Sequence, residues 1–420
     1  MLINQEFYKE NYLFKKNKDK INIFYLSSII CITAFLFLNP FLALFFLAIL
    51  SKFITPPKLI TIFAPAFAFT LFFYSRKYGV FWADDTAGDD VTNYILLYNT
   101  NFKLSFSDIF TRFFEFPGNN EPLWHLPFWF LLNFLNFGEN QFLFTHYFLI
   151  FIILFYSFYT ISNKYFLIIA LAYFFITPGS LDSIFHIWRQ QLAFSFFLLG
   201  TVKYFISNKR IGIIYILITP LIHLVSIIFV IFFLLFISFK QTKFYLNKLP
   251  IILFILFITS ILFITFTSAI NYLSTLNLDR IIAYIDSDSG NNFRQIIVML
   301  FFSSFLLFTF YFFKNDNWNN YIFFITLILS FLTVLLPSIS SIINRVTYFS
   351  IPFIGIYIFR WLIFNFSKNK ILIFVIFIFL SGLLRTSFMV INKISSIQFL
   401  AFEHPLDPFM GSLKLLFNYN

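Results

Sequence analysis

Long stretches without a charged residue constrain the fold of this chain more than any other feature. They include residues 21–38, 59–74, 141–159, 251–266, 293–313, 321–336 and 371–384, where Arg294 is the one charge. A helix needs about 20 apolar residues to cross about 30 Å of hydrocarbon, and flanking residues extend the shorter stretches to that length. Because these runs are continuous, unlike the alternating segments of a membrane β-barrel, the expected spans are helices. We therefore predict an all-α, polytopic membrane protein.

The composition excludes an ordinary water-soluble domain. Only 11% of the 420 residues are charged and 60% are hydrophobic, whereas a soluble domain carries about 25% charged residues. A single cysteine, Cys31, excludes an intramolecular disulfide, and the sequence contains no paired Cys/His spacing, Walker loop or glycine-rich dinucleotide turn. We therefore expect no cofactor and no metal. Residues 1–20 are polar, so we expect no cleavable signal peptide.

The basic residues give the topology. The net charge of +11 is explained by the enrichment of Lys and Arg in cytoplasmic loops, without nucleic acid as a partner. Lysines before the first apolar run place residues 1–20 in the cytoplasm. About thirteen crossings then follow in a membrane domain of residues 21–388, with an outer-face loop at residues 75–140 inside it. Residues 165–177 and 184–201 are two of these predicted crossings. Residues 389–420 form an outer-face C-terminal tail.

Three proline-containing segments are not expected to be simple spans. Residues 21–50 and 211–239 are too long for one crossing, so each is interpreted as a helical hairpin, the second with His223 at its outer tip. Residues 121–137 are short for a span, and a crossing there would place the basic loop 203–210 outside. We therefore predict an interfacial or re-entrant helix on the outer face at residues 121–137.

Arginines near the predicted outer mouth are the first candidates for chemistry. Arg189 lies in the outer third of a span, and its rigid fork of donors suits a phosphate or a carboxylate. Snorkelling to the interface or a structural ion pair explains it equally well. By this topology further arginines approach the same face: Arg76, Arg280, Arg294 and Arg345. Such a cluster suits an anionic lipid-linked ligand such as a diphosphate, and contact with lipid headgroups is the alternative.

Other ionisable residues are weaker candidates. His223 is a lone histidine in an apolar stretch, where a structural role is more common, although an imidazole also exchanges protons near neutral pH. Glu121 is either a carboxylate at the membrane surface or a helix-start residue. The pairs Asp84-Asp85 and Asp89-Asp90 are suited to a base or a metal ligand, and adjacent carboxylates in a loop are more often simply solvated.

An ordered set of motifs resembles the EpsG-like branch of the Wzy-type polysaccharide polymerases. The set begins with Arg76, Asp89-Asp90-Val91-Thr92-Asn93-Tyr94 and Tyr98, and continues through Glu121-Pro122-Leu123-Trp124, Arg189-Gln190-Gln191-Leu192-Ala193, Ile222-His223-Leu224-Val225-Ser226 and Arg345-Val346-Thr347-Tyr348-Phe349. These elements occur in the family's order. The extra acidic pair Asp84-Asp85 and the additional N-terminal hairpin depart from the family pattern.

The resemblance implies an enzyme that joins undecaprenyl-diphosphate-linked oligosaccharide units into O-antigen, capsule or exopolysaccharide on the outer face of the bacterial inner membrane. It implies a catalytic set of Arg189, His223, Asp90 and Glu121. It implies a substrate-binding set of Arg76, Asp89, Tyr94, Arg280, Arg294, Arg345 and Tyr348. The expected partners are the lipid-linked oligosaccharide, the bilayer, and a chain-length regulator and flippase of the same pathway.

Three alternatives stay open at this point. A GT-C-type glycosyltransferase using a polyprenyl-phosphate sugar also carries an acidic pair in an early outer loop, for which Asp84-Asp85 would serve, although here that loop follows the third span. A lipid-linked oligosaccharide transporter is disfavoured because the two halves of the chain do not echo each other. A structural membrane scaffold is the third.

Overall fold

The described part of the chain is helical. The computed structural model describes residues 58–74, 122–162, 165–175 and 188–241, with isolated positions at Leu44 and between residues 317 and 380. Within these residues helices are joined by short turns, and no strand occurs. The helical class is therefore confirmed for them. The N-terminal hairpin and the segments 1–20 and 389–420 lie outside the described residues, and the count of thirteen crossings stays a prediction.

Eight α-helices of the described residues are numbered here in chain order. They are α1 (Lys58–Tyr74), α2 (Pro122–Leu135), α3 (Glu139–Ile161), α4 (Phe166–Phe175), α5 (Trp188–Phe205), α6 (Ile211–Leu217), α7 (Thr219–Ile222) and α8 (Ile227–Gln241), with a 3-10 turn, Leu224–Ser226, between the last two. Helices were predicted at residues 59–74, 141–159, 165–177 and 184–201, and α1, α3, α4 and α5 occupy these segments. Among the described residues, α3 is the helix both long and apolar enough to cross a membrane, since its 23 residues extend about 34 Å.

Helix α3 is the centre of the described core. It packs against α1, α4 and α5, and phenylalanine side chains form most of the contact. Phe69 of α1 stacks on Phe174 of α4 with ring centroids 4.7 Å apart, and it lies 5.5 and 5.6 Å from Phe151 and Phe155 of α3. Each aromatic pair adds to stability beyond its buried area. The abundant phenylalanine therefore joins three helices into one unit.

Helix α2 lies where the interfacial helix was predicted. It continues through Pro127 to Leu135 and ends at Asn136, which adopts a left-handed φ of 50°. The next N–H, from Phe137, donates to the carbonyl of Leu131 at 3.1 Å, so a left-handed residue and a backbone hydrogen bond close the C-terminus of the helix. Phe130 and Phe134 are exposed on its surface. The predicted helix is confirmed, and its position in the membrane interface stays a prediction.

A second left-handed cap reverses the chain after α5. Asn208 has a φ of 54°, and the N–H of Lys209 donates to the carbonyl of Lys203 at 2.8 Å. The chain then returns along α5 as α6, and the two helices meet at glycines. A Cβ built on Gly200 would lie 2.8 Å from the carbonyl oxygen of Gly212. The two backbones therefore touch, as small residues permit between membrane helices.

Helices α6 to α8 form a hairpin against α5. Gly212 of α6 contacts Tyr204 of α5, and Ile216, one turn later on α6, lies against Gly200, one turn earlier on α5. Helix α6 is therefore antiparallel to α5. Helix α8 runs the other way, since Phe229 meets Phe197 at 5.9 Å and Phe236 meets Phe205 at 5.8 Å. The hairpin predicted at residues 211–239 is confirmed, and the side of the membrane that its tip faces stays a prediction.

Candidate functional site

The first turn of α5 is buried against α3. Trp188, its first residue, is fully buried and stacks on the ring of His146, with centroids 4.7 Å apart and an interplanar angle of 22°. Tyr147 meets the same indole edge-on at 4.9 Å. Arg189 follows directly and is half-buried. The aromatic contacts therefore fix the backbone from which the Arg189 side chain projects.

Amide side chains hold the same turn from a second side. Gln190 and Gln191 are both buried. The Nε2 of Gln191 donates to the hydroxyl of Tyr173 on α4 at 2.7 Å, and the hydroxyl of Ser195 donates to the carbonyl of Gln191 at 2.8 Å. Hydrogen bonds in an apolar interior cost stability when broken, because the groups cannot turn to water. The start of α5 is thus held by α3 and α4 together.

The tip of the hairpin is a compact polar turn. Thr219, His223 and Ser226 are all buried, and His223 has an extended backbone (φ −152°, ψ 119°) between α7 and the 3-10 turn. Its N–H donates to the carbonyl of Thr219 at 2.9 Å, and the Ser226 hydroxyl donates to the carbonyl of His223 at 2.8 Å. These bonds satisfy backbone groups at the break in the helix and fix the backbone from which the imidazole of His223 projects.

The hairpin brings His223 to the end of α5 that carries Arg189. Ile216 lies opposite Gly200, and the helices are antiparallel, so His223, seven residues later, lies at about the level of Ala193, about one helical turn from Arg189. Helix α7 packs on α5 and also on α2. The two candidates come from separate motifs of the sequence, and the fold places their elements side by side.

Positive electrostatic potential collects at this end of α5. Arg189 carries a full positive charge and is half-buried. It acts in surroundings that are mostly apolar, where charge is screened less than in water. The arrangement suits an anion. In the part of the chain that the structure describes, no group of three His, Cys, Asp or Glu side chains is arranged to hold a metal ion.

Comparison with known families identifies the class of protein. A sequence profile of the EpsG family matches residues 69–404, which is most of the chain. The chain belongs to the EpsG family. This membership confirms the resemblance drawn from the motifs, and it indicates a membrane-associated protein with a polysaccharide polymerase-type role. Neither a curated protein nor a solved structure matches the chain.

The structure describes two of the predicted site residues, Arg189 and His223. The others lie outside the described residues: Asp90 and Glu121 of the catalytic set, and Arg76, Asp89, Tyr94, Arg280, Arg294, Arg345 and Tyr348 of the substrate-binding set. All of them fall within the span matched to the EpsG family. Their assignments stay predictions.

Two buried groups near α5 were not identified from the sequence. His146 is fully buried and would have been found as the lone histidine in the uncharged run of residues 141–159. Arg360 is also buried, with its guanidinium 5.2 Å from the centre of the Trp318 ring. The indole N–H of Trp318 donates to the Thr201 hydroxyl at 3.4 Å. Arg360 therefore contacts the far end of α5 through an aromatic ring, about 18 Å along the helix from Arg189.

Proposed function

We propose that this EpsG-family protein is a polymerase that joins undecaprenyl-diphosphate-linked oligosaccharide repeat units into a surface polysaccharide. The observation that carries the proposal is the packing of the hairpin tip, with His223, beside the start of α5, with Arg189. A cation and a proton-exchanging ring on adjacent elements are the two groups that a glycosyl transfer from a diphosphate requires.

The proposed reaction needs no activation beyond the donor itself. A hydroxyl oxygen of the acceptor unit forms a bond to the anomeric carbon of the growing glycan. The bond from that carbon to the diphosphate oxygen breaks, and undecaprenyl diphosphate leaves with the electron pair. The hydroxyl proton passes to a base on the protein. A nucleotide is not required, because the glycan already carries a diphosphate leaving group.

Arg189 is proposed to stabilise the departing diphosphate. Its planar guanidinium donates two parallel hydrogen bonds to phosphate oxygens, which a lysine cannot do in the same geometry. Negative charge grows on the leaving oxygen during the transfer, so a fixed cation stabilises the transition state more than the ground state. The buried turn around Trp188 and Gln191 supports this role, because it holds the backbone of Arg189 in place before the substrate arrives.

His223 is proposed as the group that accepts the proton from the acceptor hydroxyl, with Asp90 and Glu121 as carboxylates that assist or replace it. The remaining predicted residues are proposed to bind the two diphosphates and the sugars: Arg76, Asp89, Tyr94, Arg280, Arg294, Arg345 and Tyr348. The reaction is assigned to the outer face of the bacterial inner membrane in a multi-pass protein. A flippase and a chain-length regulator of the same pathway are the proposed protein partners.

The length of the surface glycan tests the proposal directly. The gene is deleted in the source cell and restored as wild type, Arg189→Ala, Arg189→Lys or Arg210→Ala. Arg210 is an exposed cation at the opposite end of α5, which makes its substitution the matched control. We expect Arg189→Ala to lower polymerisation by about 10²–10³-fold, as loss of a donor to a developing anion does. Arg189→Lys should recover only part of it, and Arg210→Ala should give long chains.

The other outcomes separate the alternatives. Loss of long chains with accumulation of a single lipid-linked unit on the outer face supports the polymerase. A glycan that lacks one sugar but is still polymerised would indicate a single-sugar transferase. Accumulation of the unit on the cytoplasmic face would indicate a transporter.

A further inference from the structure

We propose that His146 is a positioning residue for Arg189 and acts through Trp188. The inference deepens the proposed function, on which the role of Arg189 rests. His146 lies on α3, outside the motifs that match the family pattern in the sequence. It is fully buried, so it does not reach a substrate itself. Its effect on the reaction must pass through the residues that it touches.

The stack on Trp188 is the contact that carries this effect. The two rings lie 4.7 Å apart and 22° from parallel, a separation that gives the pair a preferred geometry as well as buried area. Phe142 and Tyr147, one turn before and one residue after His146, meet the same indole at 6.3 and 4.9 Å. Three aromatic side chains of α3 therefore surround the indole, and His146 is the one whose ring lies nearly parallel to it.

The position of Arg189 follows from that of Trp188. The two residues are adjacent in the first described turn of α5, so a shift of the Trp188 backbone is passed directly to Arg189. Downstream, the hydrogen bond from Gln191 to Tyr173 holds the other side of the same turn. A tilt about this bond, permitted by loss of the stack, moves Arg189 relative to the hairpin tip. A displacement of about 1 Å at a catalytic group costs about 10²-fold in rate.

The flat ring of His146, and not its basicity, is the property that this role requires. Leucine has a similar volume without a flat face, and phenylalanine has the flat face without the nitrogens. His146→Leu should therefore release Trp188, whereas His146→Phe should retain the stack. Phe155→Leu is the matched control, because Phe155 is a fully buried aromatic residue of the same helix and its ring contacts lie on α1, α3 and α4.

Thiol labelling measures the position of residue 189 without any activity. The chain contains one cysteine, so Cys31→Ser combined with Arg189→Cys leaves a single thiol, introduced at position 189. The rate of its reaction with a membrane-impermeant maleimide is measured in intact membranes. We expect His146→Leu to change this rate at least fivefold. His146→Phe and Phe155→Leu should each stay within twofold of the parent. An unchanged rate in His146→Leu overturns the proposal.

The polymerisation rate of the same substitutions, made with Arg189 intact, completes the test. We expect His146→Leu to lower kcat by about 10²-fold with little change in KM, and His146→Phe to restore most of it. Equal loss in both variants would show that the imidazole itself is needed, which overturns the positioning role. Failure of the proposed function can be told apart from failure of this inference. In that case Arg189→Ala would leave long glycan chains, while the labelling rates would still report whether the stack positions residue 189.

Discussion

The crossing of α5 and α6 gives the sharpest test of how the hairpin is held. In Gly200→Ala the new Cβ would lie 2.8 Å from the carbonyl oxygen of Gly212 and 3.0 Å from the backbone nitrogen of Ile216. Ordinary contacts of a Cβ begin at 3.4 Å, so the two helices must separate by about 0.6 Å. A third contact, 2.6 Å to the Cγ1 of Ile216, is with a side chain that can rotate, whereas these two neighbours are backbone atoms and cannot. We expect a loss of about 1–3 kcal/mol in stability.

The same separation also affects catalysis. The hairpin moves as a unit because α7 and α8 follow α6, so His223 shifts relative to Arg189 by a similar distance. A shift of this size should lower the polymerisation rate by about tenfold, less than the roughly 10²-fold attached to a full ångström. Gly200→Ala therefore differs from a purely destabilising variant, since its rate falls even at temperatures where the protein stays folded.

A second glycine is the control for this experiment. The Cβ in Gly138→Ala would meet only the Oε1 of Gln141, at 3.0 Å, and the end of a flexible side chain moves aside easily. Thermal unfolding in detergent and glycan polymerisation are measured for both variants. Equal stability of Gly200→Ala and Gly138→Ala would refute the reasoning, because it would mean that α5 and α6 do not touch at these residues.

Two further predictions concern the contacts that α5 makes at its two ends. Gln191→Leu removes the hydrogen bond to Tyr173 and leaves a buried hydroxyl without it, so we expect the free energy of unfolding to fall by about 1–3 kcal/mol. In the double variant with Tyr173→Phe, the loss should be smaller than the sum of the two single losses. Additive losses would contradict the contact. Trp318→Phe removes the donor to Thr201 and weakens the attraction of Arg360 to the ring, for an expected cost of about 1–2 kcal/mol in thermal unfolding, and an unchanged midpoint would argue against both contacts.

The sequence alone determined the helical class, the segments that form α1, α3, α4 and α5, and the family. These properties follow from local or additive features. A chain in hydrocarbon must satisfy each backbone group within its own segment, so an uncharged run predicts a helix without knowledge of its neighbours. Pro220 and His223 interrupt such a run, and the hairpin follows from its length. The ordered motifs around Arg189 and Arg345 were sufficient to recognise the EpsG family.

Only the tertiary structure decided which side chains meet. The stack of His146 on Trp188, the hydrogen bond from Gln191 to Tyr173 and the contact of Gly200 with Gly212 each join separate helices. In a soluble helix an apolar stripe would mark the buried face. In a membrane both lipid and protein interior are apolar, so hydropathy does not distinguish a packed helix face from a lipid-facing one and does not mark the face of α3 that binds α5. The position of His223 along α5, about one helical turn from Arg189, is set by the packing of α6 on α5. The sequence pattern does not reveal that packing.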